Sequence, residues 1–170
     1  MTSATIDLID RVSRRLTDDD AVHARGAPAT DDEIAAAEAA LGCRFPPSYR
    51  AFLREVGGLS IPTHLGVVHH FVGLHHGGEP AKAVPGVVEQ TLLARGEGRL
   101  APHLVVVGMG AGYREWFCLD TARGDEGGEH PVRLFDARDN ALDGDFYADF
   151  GTMVDEVLGF VEETLATPRD

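Results

Sequence analysis

The chain is poor in cysteine and in positive charge, and it has no long apolar run. Cys43 and Cys118 are its only two cysteines. They sit in separate elements, without the spacing of a zinc site or a disulfide framework, and read as reduced structural thiols. Neither has beside it the His and basic setting that would make a reactive thiolate. No stretch is long and apolar enough to cross a bilayer. The start, Met1-Thr-Ser-Ala-Thr-Ile-Asp7, lacks a basic region followed by an apolar one, so a cytoplasmic protein with no membrane partner is expected. Lys and Arg number 15 against 28 Asp and Glu, a formal net charge of −13 at pH 7. That balance argues against direct nucleic-acid binding, which rests on cations against phosphates. It suits a basic protein partner, or it serves only to keep the chain dispersed.

Patterns that would mark a catalyst are also missing. No serine lies in a nucleophile elbow. Gly108, Gly110 and Gly112 follow an expected strand, but a phosphate-cradling loop must open a helix, and Glu115-Trp-Phe-Cys-Leu-Asp120 reads as a strand. The glycines therefore predict a β-hairpin turn. Asp120, Asp125, Glu126 and Glu129 could pair as hydrolase carboxylates, yet the last three lie in Gly124-Asp-Glu-Gly-Gly-Glu129, a composition typical of solvated turns. His69-His70 and His75-His76 offer imidazoles to a metal. Strand alternation would point adjacent residues to opposite faces, and no Cys or carboxylate spacing supports them. No catalytic residue, cofactor or metal site is assigned.

At 170 residues the chain suits one ordinary domain with a core of its own. Thr30-Asp-Asp-Glu33 is a capping box, so a helix should begin there. Ile34, Ala37, Glu38 and Leu41 share its inner face, and Gly42 suits the left-handed residue that ends it. Glu38 on that face needs a hydrogen-bonding partner, and a backbone one is expected. Pro46-Pro47 cannot extend the helix, but Pro47 can open the next, where Tyr49, Phe52, Leu53 and Val56 repeat the apolar spacing before Gly57-Gly58. Residues 5–16 predict an N-terminal helix through Leu8, Ile9, Val12 and Leu16. With the break at Asp18-Asp19-Asp20 and a linker through residue 29, it reads as an accessory packed loosely on a domain spanning 30–165, and 166–170 as a tail.

Leu65 to Leu74 reads as one strand or a bent pair, and Val87 to Arg95 as a short helix. His103–Val107, Glu115–Leu119 and Pro131–Phe135 predict three strands in an antiparallel meander. Phe146–Leu165 predicts a closing helix whose inner stripe is Phe150, Met153, Val154, Val157, Leu158 and Val161. The fold class is α+β, with helices packed against one antiparallel sheet.

The order Glu38-x-x-Leu41-Gly42, then Phe45-Pro46-x-x-Tyr49-x-x-Phe52-Leu53, then Gly57-Gly58 resembles the SUKH superfamily, the Smi/Knr-like domain. Gly108–Asp120 resembles its Gly-rich turn and the strand ending in Leu-Asp. Pro131–Asp136 and Phe146–Phe150 resemble its last strand and closing helix. Where the family pattern has Gly-Asp in the turn, this chain has Gly112-Tyr113-Arg114, and the segment after Gly58 has no motif to align. The resemblance implies the same α+β fold and a non-catalytic protein-binding role. Many bacterial members are immunity proteins that neutralise a cognate polymorphic toxin, often a nuclease or deaminase, whereas eukaryotic relatives are regulatory interaction modules. The expectation is an inhibitor that occludes a basic toxin's active or substrate-binding site. The alternatives are a regulatory or scaffold domain and, less favoured, a small hydrolase. The expected contacts are Asp120, Asp125, Glu126, Glu129, Asp139, Asp143, Asp145 and His70, drawn from the 120s loop, an Arg138–Asp145 loop and the His69–His76 segment.

Overall fold

The computed structural model describes residues 1–18, 24–75 and 86–167. In chain order these form α1 (Ser3–Asp18), β1 (Ala24–Arg25), α2 (Asp31–Leu41), α3 (Pro47–Glu55), β2 (Leu59–Ser60), β3 (His70–Phe71) and α4 (Val87–Gly96). There follow β4 (Leu104–Met109), β5 (Glu115–Asp120), β6 (Val132–Asp136), β7 (Ala141–Tyr147) and α5 (Phe150–Ala166). The strands make one antiparallel sheet in sequence order, with helices packed on it, so the fold is α+β. Asp19-Asp20, the linker residues 19–23, His76 and the tail residues 168–170 lie outside the described residues.

The α2–α3 corner forms as its sequence predicts. Thr30 and Glu33 make the full capping box, and Gly42 ends α2 at φ 69°. Pro47 opens α3. Tyr49, Phe52 and Phe150 meet in edge and stacked contacts, with Phe71 against Phe52, and all four are buried. Every residue of β4 is buried although successive side chains point to opposite faces, so both faces of the sheet are covered at its centre. Gly57-Gly58 does more than stop α3. Gly57 (φ 78°) and Gly58 (φ 139°) hold backbone conformations that side chains disfavour. A Cβ on Gly57 would stand 2.1 Å from the Ala27 carbonyl oxygen, and one on Gly73 only 1.7 Å from that of Gly57. Three backbone segments therefore meet there with no room for a side chain.

Four expectations are corrected. Among the described residues the sheet has seven strands, more than the three clear ones and the Leu65–Leu74 segment expected, because the short pairings of β1 and β2 extend the meander at one edge and β7 extends it at the other. Leu65–Leu74 contributes only the two residues of β3, after a turn closed by the Leu65 N–H on the Pro62 carbonyl. Residues 141–147 form β7, paired with β6, where a loop and the first turn of the closing helix were expected. The helix begins at Phe150 because Asp149 caps it, accepting from Thr152 N–H at 2.8 Å. Lastly, α1 is not loosely attached: Ile9, Val12 and Leu16 are fully buried, and Arg11 pairs with Glu162 of α5. Burial of an apolar stripe about two turns long explains that close packing.

Candidate protein-binding surface

The expected acidic contacts divide into structural and exposed groups. Asp120 is 2% exposed. It lies 3.6 Å from Arg133 Nη1 and 3.8 Å from His103 Nε2, and accepts from the Ala122 N–H, closing the turn after β5. It offers no contact surface. Glu129 reaches back to α3, accepting from Ser48 N–H at 2.8 Å and from its hydroxyl at 2.6 Å. Because Pro46 supplies no side-chain cap, Glu129 is the cap of α3, delivered from a turn 81 residues away. Asp125 Oδ1 accepts from Glu129 N–H and holds that turn. Glu126, Asp139 and Asp143 are exposed. Asp145 is exposed as well but takes a two-bond pair from Arg123, which holds its carboxyl below the usual range.

These residues do not converge on one patch. The 120s turn stands at one end of β6, and Asp139 in the β6–β7 turn at the other, with five strand residues or about 17 Å between them. His70 also departs from its expected role. It is 5% exposed, with Nδ1 2.6 Å from Ser60 Oγ and Nε2 3.3 Å from Tyr113 OH. Burial, with a smaller contribution from neighbouring His69, lowers its pKa to about 4. The two rings do not point apart: their centroids are 4.1 Å from each other, since β3 is too short to enforce alternation. His69 Nδ1 is itself engaged with the Ile61 carbonyl. Among the described residues no group of three or more His, Cys, Asp or Glu is arranged to hold a metal ion. Burial raises both thiols above their ordinary pKa, Cys118 most.

The Glu38 expectation holds. Its Oε1 accepts from the Phe45 N–H at 2.8 Å, and Arg50 Nη1 reaches both carboxylate oxygens at 2.9 and 3.1 Å. This ties the end of α2 to the start of α3.

The surface also carries an apolar groove that the sequence reading did not single out. Val67, Phe146 and Phe160 are 59%, 49% and 60% exposed. They come from the β2–β3 connection, β7 and α5, and line two hollows that share Gly66 and Val67. One, of about 440 Å³, is walled by Leu65, Tyr147, Val157 and Phe160. The other, of about 350 Å³, is walled by Phe117, Leu134 and Phe146. Scattered surface apolar residues are ordinary, but three around one depression are not. Phe160 was visible as a large apolar residue off the inner stripe of α5. Val67 and Phe146 gave no such signal.

Helices on an antiparallel meander, with a carboxylate-anchored helix corner and a glycine crossing after it, define an α+β domain of the Smi/Knr kind. The chain belongs to the SMI1/KNR4 family (SUKH-1), whose model matches residues 28–156. No curated protein matches it. Among the described residues no helix is long and apolar enough to cross a membrane.

Proposed function

We propose that this chain is a non-catalytic immunity protein that binds a cognate polymorphic toxin in the cytoplasm and occludes its active or substrate-binding site. Membership of the SMI1/KNR4 family over residues 28–156 carries the reading. The net charge of −13 supports it, since a nuclease or deaminase that handles nucleic acid presents a basic groove, and opposed fields accelerate encounter. Exposure, without a carboxylate duty of the kind that occupies Asp120, Asp125 and Glu129, supports Glu126, Asp139 and Asp143 as the contributing acidic groups. The test is co-expression with the product of the adjacent gene. The protein should restore growth that this product suppresses, and the two should co-purify as a complex. Absence of both, with the product shown to be toxic and the protein folded, overturns the reading in favour of a regulatory domain.

A further inference from the structure

The groove between the β2–β3 connection, β7 and α5 has a consistent chemistry. Its two hollows are apolar, and Val67 stands between them where it is free to touch a partner. Each hollow has one carboxylate in its wall, Glu156 in the larger and Glu115 in the smaller, and the larger also holds the imidazole of His64. Glu156 and Glu163 also bracket Phe160 at i−4 and i+3 on α5, which places them on the same helix face. Both are exposed. Among the described residues neither hollow has a Lys or Arg in its wall. Val157 and Phe160 of the larger hollow's wall lie beyond the residues matched by the family model.

We infer that this groove is the docking site for a segment of the partner protein that carries apolar side chains flanked by Lys or Arg. The apolar side chains fill the two hollows on either side of Val67, and the cations meet Glu115, Glu156 and Glu163 at the rim. Apolar anchors in pockets supply most of the binding energy, and the rim charges set orientation and rate. A second copy of this chain is disfavoured as the occupant. Two molecules of charge −13 would bring like-charged rims together, and like charges facing each other across an interface oppose association. The inference rests on the protein-binding reading above and names the surface and partner chemistry for it.

The probe is an amphipathic peptide of Leu and Lys, compared with one of Leu and Glu, with binding followed by fluorescence anisotropy and mapped by amide chemical shifts. The Leu/Lys peptide should bind and shift Gly66, Val67, Phe146 and Phe160, and the Leu/Glu peptide should not bind. Val67→Ser with Phe160→Ser removes the apolar anchors and keeps every charge. It should weaken binding about tenfold or more, while the melt stays near wild type because both side chains are exposed. Glu156→Gln with Glu163→Gln should weaken binding less and flatten its salt dependence. Binding unchanged by the double Ser variant, or shifts centred elsewhere, overturns the inference. So does equal binding of both peptides, or a concentration-dependent dimer lost in the double Ser variant. The same variant separates the two readings. If it still neutralises the adjacent gene product, the groove is wrong and the immunity reading stands. If the groove takes the Leu/Lys peptide but the wild-type protein neutralises nothing, the immunity reading fails alone.

Discussion

Replacing Glu38 tests the physical basis of the α2–α3 corner. Glu38→Ala leaves the buried Phe45 N–H without its acceptor, a loss of about 1–3 kcal/mol. It also removes the pair with Arg50, whose side chain is 28% exposed, so that loss adds no more than about 1 kcal/mol. The expected destabilisation is about 1–4 kcal/mol, and a chain of this length should melt roughly 2–16 °C lower. Glu38→Gln keeps a carbonyl oxygen for Phe45 N–H and gives up only the charge, so it should stay within about 1 kcal/mol of wild type. Urea unfolding with an unchanged slope would report both values. Equal midpoints for the Ala and Gln variants, or an Ala variant within about 0.5 kcal/mol of wild type, would refute the claim that the amide bond holds the corner.

Phe52→Ala empties the centre of the Tyr49, Phe71 and Phe150 cluster and should cost about 3–5 kcal/mol. An unchanged melt would contradict that packing. Glu129→Gln should destabilise by about 0.5–2 kcal/mol through loss of the charged cap on α3, and Ser48→Ala should share part of that loss in a double-mutant cycle. His70 has a folded pKa of about 4 against 6.5 for the free side chain, so the unfolded chain binds its proton first. Its contribution is therefore complete above about pH 6.5 and is lost as the pH falls towards 4. His70→Asn should flatten stability over that interval relative to wild type; parallel curves would count against a buried neutral ring. Charge reversal at Glu126 and Asp139 should slow association with the true partner, most at low salt, and leave stability within about 0.5 kcal/mol. A rate indifferent to both salt and reversal would place recognition elsewhere.

Local rules determined the helices. The capping box at Thr30, the spacing of Ile34, Ala37, Glu38 and Leu41, the left-handed Gly42 and the proline at the first position of α3 all act within a few residues, so a linear reading captures them. The partner of Glu38 was foreseeable as well, because a carboxylate on an apolar stripe must find an amide close by. Tertiary structure decided the rest. Ala141-Leu-Asp-Gly-Asp-Phe-Tyr147 has little intrinsic strand preference, and it becomes β7 because the backbone of β6 pairs with it. Glu129 looked like a solvated loop acid until the fold brought it to Ser48. His70 looked like a surface contact until β2 and Tyr113 enclosed it. The groove is the extreme case. Residues 63–67, 146–147 and 156–160 share no local pattern, and only the packing of a loop, an edge strand and a helix creates the surface between them.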